Sequence, residues 1–163
     1  MPDMKLLALD ADDLAVLSAH LQDAVLRVGD IAFVKADRRF ALVLNRFDWH
    51  AALSSQAAGR APELQRRRSG VRFEKVRAAQ AQGLDPRAKD AALELLALVW
   101  EQTGEGPGGY IVLQFAGGGA IRLDVECIEV ELRDLGAAWA ARSKPTHDTA
   151  AATAPATSGK QAK

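Results

Sequence analysis

The sequence predicts an α+β protein, mainly antiparallel β, with a helix at its start. Three observations carry the prediction. Apolar residues alternate with polar ones through long stretches, as in half-buried strands. Glycine-rich segments at residues 104–109 and 117–119 punctuate those stretches as turns. Connections this short join antiparallel neighbours, because parallel pairs need crossovers of about a dozen residues or more.

The helix comes first. Asp10 or Asp12 can cap it, Asp13 suits the first turn, Leu14, Leu17 and Leu21 form one apolar stripe with Ala24 next in line, and the helix ends near Gln22 and Asp23. From Val25 the pattern is strand, with a bend at Gly29 and Asp30. A hairpin follows, residues 31–34 returning as 40–47 around the polar turn 35–39. Residues 50–65, rich in Ala, Ser, Gln and Gly, read as a surface loop, and Val71 and Phe73 open a strand that runs to about Ala79. Gly83 to Pro86 break the pattern and residues 85–90 connect.

Residues 93–103 are nearly continuous in apolar character, as in a strand buried on both faces, with a short helix as the alternative. Ile111, Leu113 and Phe115 then alternate, as do Ile121, Leu123, Val125 and Cys127. Ile128, Val130 and Leu132 keep the same face only if the parity shifts, which predicts a bulge or corner at Cys127 and Ile128. Leu135, Gly136 and Trp139 read as a short closing helix. About seven strands in all predict a barrel or two packed sheets, with a PH-like arrangement among the options.

Length and composition fit this architecture. The 163 residues are 48% hydrophobic and 26% charged, enough for one core without a disulfide or metal. One domain over residues 1–141 is expected, with a disordered tail at 142–163 rich in Ala, Thr, Pro and Lys. The formal net charge is zero, but the tail carries four bases and one acid; the remaining 17 basic and 20 acidic residues give a body of −3. Such a body has no general attraction for nucleic acid or anionic lipid. Cys127 is the only cysteine, which excludes an intrachain disulfide and multi-cysteine metal sites and fits a reducing, cytoplasmic compartment. The start has no basic segment leading into an apolar run, so no signal peptide is expected, and no run approaches membrane-spanning length.

Two segments could carry function. Asn45, Arg46, Asp48, Trp49 and His50 lie at a strand end, where Arg46, Asp48 and His50 on one face would make a polar-ligand site or, as an alternative, a catalytic one. The plainer reading packs Phe47 and Trp49 inward and leaves the polar residues in water. Arg66, Arg67, Arg68 and Arg72, with Lys75 and Arg77 beyond, could hold phosphate or RNA, with Phe73 as a stacking residue. Against this, Glu63 and Glu74 interrupt the cluster, and an edge strand guarded by charge, or arginines paired with acids next door, produces the same pattern.

Asp124, Glu126, Glu129 and Glu131 form an outward acidic stripe that lacks the convergence metal or acid–base chemistry needs. His20, His50 and His147 are too scattered for a metal pair, Cys127 reads as core, and neither glycine segment opens a helix as phosphate cradles do. No cofactor, metal or catalytic residue is therefore assigned. The expectation is a binding or scaffold module for a protein or small ligand, more plausible than an enzyme or nucleic-acid binder; self-association is allowed but not required.

Residues 6–14 (Leu-Leu-Ala-Leu-Asp-Ala-Asp-Asp-Leu), 20–24, 38–40, 44–49 (Leu-Asn-Arg-Phe-Asp-Trp), 121–128 and 134–136 are similar to a bacterial domain-of-unknown-function family associated with alphaproteobacteria. The likeness spans about residues 4–139 and carries over no activity, cofactor or catalytic residue.

Overall fold

A computed structural model describes residues 3–59, 65–136 and 139–140. The expected tail at 142–163 lies outside the described residues. Eleven strands form one antiparallel sheet: β1 (Lys5–Ala8), β2 (Ala24–Arg27), β3 (Ile31–Val34), β4 (Arg39–Phe47), β5 (Gln65–Phe73), β6 (Val76–Gln82), β7 (Ala92–Gln102), β8 (Gly109–Phe115), β9 (Ala120–Val125), β10 (Val130–Asp134) and β11 (Trp139–Ala140). Among the described residues two α-helices accompany them, α1 (Ala11–Leu21) and α2 (Trp49–Ala57). The sheet runs β1-β10-β5-β4-β2-β7-β8-β9-β6 and does not close, while β3 continues beside β4 and β11 beside β5.

The opening helix forms as its sequence dictates. The Asp10 side chain accepts from Asp13 N at 2.8 Å, and the Asp13 carboxylate accepts from Leu9 N at 3.0 Å, a reciprocal cap that satisfies two helix-end amides. Leu14, Leu17 and Leu21 are buried, so the predicted stripe is the docking face. Opposite it, β7 carries a bulge between Leu95 and Ala97, and Leu98 N donates to Ser18 Oγ of α1 at 2.9 Å. The residues of 93–103 thus form a strand, but a kinked one that turns an amide toward the helix.

Several expectations are corrected. Residues 50–65 are not all loop: α2 occupies Trp49–Ala57, where alanine's helix propensity outweighs the missing apolar stripe. A strand, β1, precedes α1 and pairs β10 from Lys5↔Arg133 to Ala8↔Val130. The single strand expected from Val71 to Ala79 is two, β5 and β6, broken at Lys75, whose φ of 60° is left-handed. Of the bulge or corner expected near Cys127, the corner forms: the chain bends at Glu126 and Cys127, β9 pairs β8 and β10 pairs β5, which restores the inward face for Ile128, Val130 and Leu132. In place of the closing helix, Trp139 and Ala140 pair with Arg66 and Gln65 as β11.

One core joins both halves of the curled sheet. It includes Leu14, Leu17 and Leu21 from α1, Phe40, Leu42 and Leu44 from β4, and Ile111, Leu113, Leu123 and Leu132 from β8, β9 and β10. At the mouth of the β7–β8 hairpin, a Cβ on Gly109 would fall 2.5 Å from Glu101 O and 2.6 Å from the Trp100 ring, so the close approach requires glycine.

Candidate functional site

The inward face of β4 does not end where its apolar residues end. Phe40, Leu42 and Leu44 point to the core, and strand parity carries Arg46 to the same side. On β5, Val71 and Phe73 point inward, and so do Ser69 and Arg67. On β10 the series Val130, Leu132 ends with Asp134. Cross-strand register places Asp134 opposite Ser69, and Arg67 opposite Arg46. Three strands therefore deliver two guanidinium groups, a carboxylate and a hydroxyl to one end of the core.

Arg46, 1% exposed, donates to Asp134 from Nε at 3.1 Å and Nη2 at 3.0 Å. Asp134 also accepts from Ser69 Oγ at 2.7 Å and Met4 N at 2.8 Å. Arg67 Nε donates to Asp48 at 2.9 Å, lies 4.0 Å from Asp134, and its Nη1 lies 3.6 Å from Asp3. Two buried cations thus face two buried anions. Burial pushes the Asp134 carboxyl up, but the Arg46, Met4 and Ser69 hydrogen bonds outweigh it and hold the group below the usual carboxylate range. A carboxylate filled with four donors and held ionised is a structural clasp; it offers no acid or base for proton transfer.

Of the expected ligand set, Arg46 and Asp48 thus come together, inward and buried, not solvated. Phe47 is also fully buried but on the other face, in edge contact with Trp49 at 4.5 Å between ring centroids. Trp49 begins α2, and its Nε1 donates to Gln22 O at 3.1 Å. Asn45 points to this outer side, in one row with Glu94 and Arg68 through Val25. His50 belongs to α2, not to the strand face.

The arginine run is divided by the same parity. Arg67 is buried in the clasp. Arg66 is half-buried on the outer face and donates to Asn45 O at 3.1 Å; burial pushes its pKa down against the pull of Glu94 and Asp23, both only 5% exposed. Arg72 pairs with Glu131 at 2.5 Å and Glu74 at 2.7 Å, and Arg68 is exposed. Phe73, expected as a stacking residue, is buried against Phe40. Glu63 lies outside the described residues.

Acids of the stripe likewise meet bases: Asp124 meets Arg77 of β6, Glu126 meets Arg38 of the turn before β4, and Glu131 meets Arg72 of β5, Lys5 of β1 and Arg133 of its own strand. Among the described residues, no three His, Cys, Asp or Glu side chains gather as a metal site. Cys127 is a half-buried free thiol.

The other feature of the core face is a cavity of about 230 Å³. It lies where the sheet fails to close, with Ile31 of β3 and Phe40 of β4 on one side and β6 on the other. Leu93, Ile121 and Leu84 complete an apolar lining, and Lys89 supplies a cation. Sequence reading found neither this cavity nor Asp134 and Ser69; the parity of β5 and β10 was the available signal for the last two.

Fold and site together define a curled antiparallel β protein, clasped by a buried ionic network and open along one seam. The chain belongs to the DUF2948 family of proteins of unknown function, whose model matches residues 4–147. No curated protein and no solved structure matches it significantly. Among the described residues no helix is long and apolar enough to cross a membrane.

Proposed function

We propose that this protein is a non-enzymatic binding module whose recognition element is the apolar cavity along the open seam. The cavity carries the reading. It gathers aliphatic and aromatic side chains around an unfilled space of about 230 Å³, below the roughly 300–1,000 Å³ of typical small-molecule pockets. That size suits one branched or aromatic group, and Lys89 suits an anionic end beside it. The catalytic alternative at Arg46 and Asp48 is weakened because both are engaged in buried ion pairs. Phosphate binding by the arginine run is weakened because Arg67 and Arg72 already have carboxylate partners. A PH-like arrangement rests on the bent antiparallel sheet alone, and a cytoplasmic setting rests on the single cysteine.

The test is titration of the isotope-labelled full chain with 4-methylpentanoate, followed by amide NMR. Shifts confined to residues around Ala79, Leu84 and Lys89, with a Kd near ~1 mM, are expected. Ala79→Leu, which fills the cavity from β6, should abolish them. Absence of any shift at these positions at about ten times that concentration refutes the reading.

A further inference from the structure

The strand beside the cavity has a free edge. Among the described residues β6 ends the sheet order and pairs with β9 alone, so beyond Val76, whose amide donates to Arg38 O at 2.8 Å, its other edge presents unpaired backbone groups. Proteins commonly guard such edges with charge, proline or extreme shortness. The opposite edge strand, β1, has four residues and begins with Lys5. From residue 78 to 82, β6 reads Ala-Ala-Gln-Ala-Gln and carries no guard of this kind.

Register assigns its faces. Ala79 and Ala81 lie opposite the buried Leu123 and Ile121 and so point inward, bordering the cavity. Gln80 and Gln82 lie opposite Arg122 and Ala120 and point outward. There they border a second recess of about 660 Å³, of mixed polar and apolar lining, that reaches Glu101 and Arg122. A strand laid along β6 would therefore find an apolar hole on one face and polar groups on the other.

Resting on the reading of the cavity as a binding site, we propose that β6 accepts an extended segment of a partner protein as an added strand. A large apolar side chain of that segment fills the cavity, and acidic residues flank it. The hole sets the first requirement. The second follows from charge: Lys75 and Lys89 are exposed and have no ion pair among the described residues. Strand addition supplies affinity through main-chain hydrogen bonds and specificity through pockets for alternate side chains.

Two nearer occupants fit less well. A second copy pairing through β6 would offer only the methyl groups of Ala79 and Ala81 to the cavity. The chain's own residues 142–163 contain no Leu, Ile, Val or Phe and carry four bases against one acid.

The experiment uses the full chain and acetylated Glu-Xaa-Thr-Xaa-Thr-Glu amides, with Xaa as Ala, Val, Leu or Phe. The Leu or Phe peptide should bind about tenfold or more tighter than the Ala peptide. It should shift the β6 amides and lose affinity in Ala79→Leu. Because alternate amides of a strand face opposite edges, N-methylating both Xaa residues or both Thr residues should abolish binding in one case and spare it in the other.

Strand addition is overturned if no peptide shifts β6 at about 2 mM, or if the two methylation patterns act alike. It is also overturned if sedimentation shows a dimer through β6 that the peptides do not dissociate. If 4-methylpentanoate still binds in those cases, the cavity reading survives and only the strand proposal falls; if it does not, both fall.

Discussion

Replacing Asp134 with Asn tests whether the buried network is the clasp its geometry implies. The side chains of Asp134 and Arg46 are 0% and 1% exposed, so neither can turn to water. Asn preserves shape and one carbonyl oxygen but removes the charge and puts an amide NH2 in place of the other oxygen. The favoured orientation turns the NH2 toward Ser69, whose hydroxyl can accept, and keeps the carbonyl for Met4 N and Arg46 Nη2. Arg46 Nε then loses its acceptor, and the guanidinium stays buried without its counter-charge.

Hydrogen bonds to charged groups contribute about 1.5–3 kcal/mol each, and breaking a buried pair from one side costs about 3–5 kcal/mol. With one acceptor retained, the expected loss is about 3 kcal/mol, against a typical total stability of about 5–15 kcal/mol. Urea unfolding followed by tryptophan fluorescence, with three tryptophans as reporters, measures it. Arg46→Met in the Asp134→Asn background should cost much less than the sum of the single changes, because the double variant buries no unmatched charge while Arg67 and Asp48 still neutralise one another. A single-variant loss below about 1 kcal/mol, or strict additivity in the cycle, would sink the clasp.

Two further outcomes follow. Asp134 titrates below its unfolded value, so its contribution is complete above about pH 5 and disappears as pH falls through the depressed native value; Asp134→Asn should therefore show a shallower loss of stability on acidification in the same urea assay. Gly109→Ala forces a Cβ onto Glu101 O and the Trp100 ring, so a cost of about 1–3 kcal/mol is expected, and a melting temperature unchanged from the parent would contradict the contact.

The β class was legible because long strands such as β4, β8 and β9 alternate cleanly, and α1 was legible because Asp10 and its leucines supply both cap and stripe. What escaped was short or locally atypical. β1 has Leu6, Leu7 and Ala8 in succession, so it shows no alternation, although only Leu7 faces solvent. β11 is two residues and owes its existence to β5. The break at Lys75 uses a left-handed residue other than glycine, which composition does not announce.

The site was half visible. Its residues Arg46 and Asp48 were identified, but the aromatic weight of Phe47 and Trp49 favoured the wrong inward face. Carrying the parity of Phe40, Leu42 and Leu44 forward by one step places Arg46 inside, and the same exercise on β10 supplies Asp134 as its partner. Long-range pairing across 88 residues has no local signature, so no reading of the 45–50 segment alone could have reached it.

One strand ties the two features together and also keeps them apart. Phe40 lines the cavity near the start of β4, while Arg46 anchors the clasp near its end, on the same inward face. Six residues of extended chain separate them by about 20 Å. The ion pairs of the clasp set into the cavity wall would have made it a poorer host for an apolar group than a wall with Lys89 alone, and an open seam beside the clasp would have let water reach the ion pairs and weaken them. Separation along β4 permits a dry, ionised lock at one end and an unfilled apolar opening at the other. The lock has a physical reason to lie far from the opening: Asp134 ties β10 to β4 and to the chain leading into β1, so the sheet is held at that end without needing closure at β6. A sheet secured in this way can leave the outer edge of β6 without a strand partner and still bury Leu123 and Ile111 behind it, which is the condition a strand-accepting edge has to meet.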